Sequence, residues 1–251
     1  MKPLIKQKIQ NLCHFFGYEI RRYNKEYYPK DMDIEFKEIY EQCKDYTFTN
    51  IEKMYSTYKA TEYIVNSRIP GDFVECGVWK GGSSMIIAHT LLRMKDMNRK
   101  IYLYDTFEGM TKPTEKDIKI TDGFPVIISW ERKQRNNCKK WAFAPMRKVK
   151  KNMLSTGYPQ ENIIFVKGKV EITIPNTVPS KIALLRLDTD WYESTYHELE
   201  YLFPLLSNKG VLIVDDYGFY AGAKEASDKY FKENNISILL HRISWSRIGV
   251  K

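Results

Sequence analysis

The sequence predicts an α/β fold in which a mainly parallel central sheet is flanked by helices. Short apolar runs alternate with stretches of helical periodicity along most of the chain. Two of these runs, Leu184 to Leu187 and Val211 to Val214, stop abruptly on carboxylates: Asp188 and Asp190 after the first, Asp215 and Asp216 after the second. A third run ends at Cys76 and passes through a glycine-rich turn into an apolar helix. Continuous apolar runs are the mark of buried parallel strands. The carboxyl ends of such strands line the ligand crevice of an open α/β sheet.

The elements follow in order. Ile5, Ile9, Leu12 and Phe16 recur at helical spacing, so an amphipathic helix is expected in a basic, Tyr-rich segment covering residues 1–50. Such a helix packs on its own domain, on a partner, or peripherally on a membrane. Thr49-Asn50 caps a helix expected over 51–66, and Pro70-Gly71 makes a turn. A strand over 72–77 leads into Val78-Trp79-Lys80-Gly81-Gly82-Ser83-Ser84 and a helix over 85–94. A second strand over 100–104 ends on Asp105. Residues 111–143 are polar, aromatic and irregular, and read as an insertion. A helix over 144–155 precedes a third strand over 162–166. The fourth strand ends at Asp188 and a helix over 193–206 follows. Asn208-Lys209-Gly210 then turns into the fifth strand, which ends at Asp215. A helix over 221–234, a strand over 236–240 and a final strand within 244–251 complete the pattern. Residues 51–251 thus form one α/β domain with right-handed crossovers.

The 251 residues suffice for one full core with a small appendage. No apolar stretch is long enough to span a bilayer, and no apolar run of the secretory type follows the basic N-terminus. Cys13, Cys43, Cys76 and Cys138 form no CxxC pair, which argues against a zinc site or disulfide framework and for a reducing cytoplasm. The formal charge of +9 comes from lysines interleaved with acids. It is therefore read as solvated surface and not as a nucleic-acid footprint. The run Met146 to Lys151 is read as the exposed face of a helix.

Gly77, Gly81 and Gly82 follow a buried strand and open a helix, where glycine lets backbone approach a ligand closely. Ser83 and Ser84 add hydroxyls near that helix N-terminus. The pattern is neither GxGxxG nor a P-loop. Glu75 would repel a pyrophosphate but suits an amino-bearing ligand. Asp105 ends the next strand, where an acid can accept from both hydroxyls of a ribose. A ribose ligand with a cationic, phosphate-free tail describes S-adenosylmethionine better than a nicotinamide dinucleotide.

Together these residues resemble the macrocin O-methyltransferase (TylF-like) family. The matching text is Pro70 to Gly82, Tyr104 to Met110, Leu187 to Thr195 and Gly210 to Tyr217, in that order. The resemblance implies a Rossmann-like class I methyltransferase fold, S-adenosylmethionine, a divalent metal (usually Mg²⁺) and a sugar or glycan hydroxyl as acceptor. Carried over by position, Glu75, Cys76, Gly77, Val78, Gly81, Gly82, Ser83 and Ser84 would hold the amino-acid end of the cofactor. Asp105, with Thr106 and Phe107, would hold the ribose. Gly168, Lys169 and Val170 would lie beside the adenine, and Asp188 would border the cofactor. Asp188, Asp215 and Asp216 would bind the metal. Asp190 would be the general base or would support the metal ligands, with Asp188 the other candidate base. The insertion over 111–143 would form the substrate lid. A homo-oligomer is implied by the same analogy.

The chemistry explains the residue types. A sugar hydroxyl is a poor nucleophile, and chelation of two vicinal oxygens by Mg²⁺ would raise its acidity. A carboxylate could then take the proton. On that basis Asp215→Ala is expected to abolish turnover while leaving cofactor binding intact. Two other readings compete. One is a nucleotide-sugar-binding oxidoreductase, disfavoured by the missing GxGxxG. The other is a non-catalytic scaffold, disfavoured by the full carboxylate set. Glu193 is expected to favour its helix dipole. His89 and His197 are expected to be surface or packing residues.

Overall fold

The computed structural model describes residues 9, 12, 13, 28–135 and 141–251. The chain divides into two compact units, Met1–Asp33 and Ile34–Lys251. In the first, Ile9 and Leu12 are helical and exposed, and the Tyr28 hydroxyl donates to the Asp33 carbonyl over 2.7 Å. Ile5 and Phe16, the rest of the expected amphipathic stripe, lie outside the described residues, as does Cys138.

The division falls before residue 50 because helix α1 (Ile34–Cys43) belongs to the second unit. It buries Phe36, Ile39 and Cys43, with the Phe36 ring 5.2 Å from Tyr55 and 5.3 Å from Tyr58. Both tyrosines lie on α2 (Ile51–Asn66). The Asn50 side chain caps α2 by accepting from the Lys53 amide over 3.0 Å, as the sequence predicts.

Among the described residues one seven-stranded sheet runs in the order β3-β2-β1-β4-β5-β7-β6. The strands are β1 (Asp72–Cys76), β2 (Ile101–Asp105), β3 (Ile163–Lys167), β4 (Ile182–Leu187), β5 (Leu206–Val214), β6 (His241–Ile243) and β7 (Ser246–Val250). β1 to β5 pair in parallel, whereas β7 runs antiparallel to both β5 and β6. β4 is buried along its whole length. Between the strands lie α3 (Gly82–Arg93), α4 (Val126–Arg135), α5 (Met146–Leu154), the single turn α6 (Val170–Thr173), α7 (Tyr192–Leu202) and α8 (Ala221–Glu233). No helix among the described residues is long and apolar enough to cross a membrane.

Several boundaries differ from expectation for physical reasons. The predicted strand over 236–240 is absent from the ladder, and pairing with β7 begins only at His241. Ile236, Ile238 and Leu240 do pack on the core while Leu239 stays exposed. The alternation there specifies packing, not strand pairing. Helix α7 stops at Leu202, before Pro204, and β5 begins at Leu206. Asn208-Lys209-Gly210 therefore lies inside β5, where the pairing with β4 jumps from Leu206 to Val211 and Lys209 has φ 65°. The insertion is not wholly irregular: it contains α4, with isolated bridges Ile118 to Pro125 and Lys119 to Tyr220. Buried Asp117 ties it down by accepting from the Tyr192 amide (2.8 Å) and the Thr114 amide (2.7 Å). The basic run of α5 is exposed around a buried Val149, as predicted.

Glu198 of α7 is fully buried, and the Thr189 hydroxyl donates to it over 2.9 Å. Burial pushes its carboxyl well above the usual range, against the smaller pull of the Thr189 bond. A carboxyl raised by folding stabilises the fold below its unfolded value of about 4.5, and that stability is lost as pH rises through the folded value. Glu198→Gln should therefore gain on wild type in urea midpoint as pH is raised from 5 to 8. An equal difference at both pH values would show that Glu198 is ionised in the fold.

Candidate active site

The parallel register brings four strand ends level. Cys76 pairs with Tyr104 and Leu187, and Leu187 pairs with Val214. The ladder continues one residue further: Gly77 donates to Tyr104, Asp188 to Cys76 and Asp215 to Leu187, each over 2.8 Å. Asp105, Gly77, Asp188 and Asp215 thus stand side by side at the carboxyl edge of the sheet. The strand order reverses between β1 and β4, which is where an open α/β sheet holds its ligand. A cleft of about 300 Å³ opens there.

Gly77 has φ 83°, and a Cβ on it would lie 2.0 Å from the Asp188 carbonyl oxygen. Only glycine fits that crossing. The turn is then fixed by Asp105, whose Oδ2 accepts from the Val78 amide (2.8 Å) and the Trp79 amide (3.0 Å). Its Oδ1 accepts from the Phe107 amide over 2.6 Å. A carboxylate offers roughly four lone-pair sites, and the turn takes three of those on Asp105.

Acidic groups crowd the other side of the cleft. Asp188, Asp215 and Asp216 offer oxygens that all lie within 4.8 Å of one another. Buried Arg186, 1% exposed, holds the group together. Its Nη1 donates to Glu75 Oε1 (2.9 Å) and Asp188 Oδ2 (2.6 Å), and its Nη2 donates to Asp215 Oδ1 (2.8 Å). Lys53 of α2 donates to Asp215 Oδ2 over 2.8 Å, and the Ser246 hydroxyl donates to Asp215 Oδ1 over 3.0 Å. Burial works to raise the Asp215 carboxyl, but Arg186 and Lys53 overcome it and hold it below the usual range. Burial opposes the charge of Arg186 as well, yet Asp188, Asp215 and Glu75 keep it protonated.

Asp190 stands in the left-handed region at φ 70°, at the centre of a tight turn in which the Trp191 amide donates to the Thr189 carbonyl over 2.9 Å. Non-glycine residues rarely adopt that region, and Asp tolerates it better than most. Burial, then the charge of Asp216 and the bond between the two carboxyl groups, push Asp190 well above the usual range.

Of the residues predicted from sequence, Glu75, Gly77, Val78, Ser83, Asp105 and Thr106 line the cleft. So do Gly168, Lys169 and Val170, and so do Asp188, Asp190, Asp215 and Asp216. Five others lie behind its wall. Cys76 is buried and bonded to Glu198. Ser84 donates to Glu75 Oε2 from the first turn of α3. Gly81 faces Val149 and Met153. Gly82 admits the backbone of Tyr46, since a Cβ there would lie 2.7 Å from it. Phe107 is buried near Phe165. Trp191 is 2% exposed, so it packs the insertion, donating to the Thr111 carbonyl over 3.1 Å. His89 has its pKa lowered by burial, and the His197 ring bonds the Ile174 carbonyl, so both are packing residues.

The residues not anticipated were Lys53, Arg186 and the strap Thr47-Phe48-Thr49, all but Arg186 lining the cleft. A lone arginine within Leu184-Leu185-Arg186-Leu187 was a readable signal, because an unpaired guanidinium is not tolerated in a buried strand. Lys53 had none.

Comparison with known proteins now decides the family. The model described as Macrocin-O-methyltransferase (TylF) matches residues 42–250. The chain belongs to the macrocin O-methyltransferase (TylF) family. It is 32% identical to the 8-demethyl-8-(2,3-dimethoxy-alpha-L-rhamnosyl)-tetracenomycin-C 4'-O-methyltransferase of Streptomyces olivaceus, over 70% of this chain and 64% of that one. It is 30% identical to the demethyldecarbamoylnovobiocin O-methyltransferase of Streptomyces niveus, over 74% and 67%. The chain thus spans about two thirds of the length of these relatives. The solved O-methyltransferase NovP superposes with a TM-score of 0.70 at 28% identity, covering 82% of each chain. CalS11, a calicheamicin methyltransferase, shares the fold with a TM-score of 0.63 at 18% identity, over 100% of this chain and 93% of that one. The TylF-family domain is therefore a Rossmann-like class I methyltransferase fold.

The crossing at Gly77 supplies a direct test. Gly157 has φ 80° and nothing within 4 Å of its Cβ position, so Gly157→Ala carries only backbone strain, about 1–3 kcal/mol. Gly77→Ala should cost clearly more in urea unfolding. Equal losses would mean that the gap between β1 and β4 yields freely.

Proposed function

We propose that the protein is an S-adenosylmethionine-dependent O-methyltransferase acting on a hydroxyl of a sugar-bearing small molecule, with a divalent cation at Asp188, Asp215 and Asp216. The observation that carries this reading is the acidic centre beside the glycine turn. Five carboxyl groups (Glu75, Asp188, Asp190, Asp215, Asp216) gather around two cations, Arg186 and Lys53. Buried carboxylates in excess repel one another and call for further positive charge. The donors are all oxygen, and Arg186 takes only one oxygen of Asp188, which suits a hard cation.

S-adenosylmethionine supplies an electrophilic methyl group on a cationic sulfur. Glu75, held by Arg186, Ser83 and Ser84, would take its ammonium. The glycine turn lets backbone lie against its methionine end, and Gly168 to Val170 form the far wall for the base. A divalent cation would polarise acceptor oxygens and favour vicinal hydroxyls. Asp190, at the same edge, would take the hydroxyl proton as the oxygen–carbon bond forms. The carbon–sulfur electron pair would leave with sulfur. Met110, Thr111 and Trp141 from the start and end of the insertion line the cleft and would form the acceptor wall. The name of one relative, which specifies 4'-O-methylation of a rhamnosyl-bearing tetracenomycin, supports a glycosylated acceptor.

Calorimetric titration with S-adenosylhomocysteine should give micromolar binding, and no binding to folded protein would sink the reading. Asp216→Asn should retain that binding and lose turnover by two orders of magnitude or more. Asp215 is the poorer probe. Removing it leaves the Lys53 ammonium without its carboxylate and strips one of three from Arg186, at a cost of about 3–5 kcal/mol of stability, so Asp215→Ala conflates folding with chemistry.

As a base, Asp190 must be ionised, so kcat/KM should fall as pH drops through its raised value. Asp190→Asn keeps a side chain that tolerates φ 70° and should abolish turnover without loss of fold. An unaltered pH profile in that variant would remove Asp190 from the proton path.

A further inference from the structure

Arg186 and Lys53 both bond Asp215, but they are not equivalent. Arg186 is locked in the sheet by three carboxylates and is 1% exposed. Lys53 reaches in from α2, a separate element, on a flexible four-carbon stem. Its ammonium lies 2.8 Å from Asp215 Oδ2 and 3.4 Å from the Asp215 carbonyl, its side chain is 11% exposed, and it lines the cleft. Its sequence position also runs against local preference. Lys53 lies three residues past the Asn50 cap, in the first turn of α2, where the helix dipole disfavours a cation. Local helix stability does not explain a lysine there, whereas the charge of Asp215 does.

Resting on the cation-binding reading above, we propose that Lys53 is the resident counter-ion of the acidic centre and sets its affinity for a divalent cation. With the cleft empty, Lys53 neutralises the outer oxygen of Asp215. A divalent ion at Asp188, Asp215 and Asp216 must share that oxygen with the ammonium or displace it. The site then binds the ion more weakly than its carboxylates alone would allow, and the lysine side chain moves toward the cleft when the ion arrives. Lys53 is thus a positioning residue that acts through Asp215.

The test is calorimetric titration of the full chain with Mn²⁺, without cofactor or acceptor. Lys53→Gln keeps an N–H donor for Asp215 and removes the charge, so it should bind Mn²⁺ roughly tenfold or more tightly, the order that one nearby unit charge produces. Its thermal midpoint should rise further with Mn²⁺ than that of wild type. Lys53→Arg should restore wild-type affinity. In wild-type protein, Mn²⁺ should increase acylation of Lys53 severalfold by an amine-directed reagent, read by mass spectrometry; this measurement needs no variant to fold. Mn²⁺ binding that is unchanged or weaker in Lys53→Gln, or Lys53 labelling that ignores Mn²⁺, would overturn the proposal while leaving the cation site standing. Absence of Mn²⁺ binding in both wild type and Lys53→Gln would overturn the cation site and this proposal together.

Discussion

The cleft depends on one buried guanidinium. Arg186 projects from the middle of the sheet and ties the ends of β1, β4 and β5 through Glu75, Asp188 and Asp215. Burying such a charge costs several kcal/mol unless its partners are close and well aligned. Here the three carboxylates lie within 2.9 Å, so the cost is offset and the acids are fixed as well. A neutral residue at 186 would leave Glu75 and Asp188 with no cation bonded to them among the described residues. The same bonds that hold the sheet edge together therefore keep the chemistry in place.

Strain gathers at the points where this edge meets the cleft. Gly77, Trp79, Phe107 and Asp190 all have positive φ, and three of them are not glycine. Residues held in that region persist only where their surroundings over-determine them. The three amides on Asp105 do this for the glycine turn. The bond from Trp191 to Thr189, with Thr189 anchored on buried Glu198, does it for Asp190. Glu198 and Cys76 thus support the cleft from behind the sheet, and neither touches it.

Much of this was legible in the chain. Apolar runs ending on Asp188 and Asp215 gave the strand ends, the glycines gave the turn, and Asn50 gave a helix start; these are local signals with local causes. That Asp188, Asp215 and Asp216 come together could be read because acids at the ends of adjacent parallel strands converge. The strand over 236–240 was misplaced because alternation reports burial and says nothing of pairing partners. Cys76, Gly81, Gly82, Ser84 and Phe107 were assigned to the ligand because a motif does not reveal which of its residues face forward.

The sequence by itself determined the order of elements, the α/β class, the positions of the carboxylates and membership of the TylF family, since these follow from periodicity and contiguous motifs. Tertiary structure alone decided which acids are paired and which line the cleft. Lys53 and Asp215 are 162 residues apart, and Arg186 and Glu75 are 111 apart. Their contact is a product of strand register and helix packing, and charge interactions of that range leave no periodic trace in a chain.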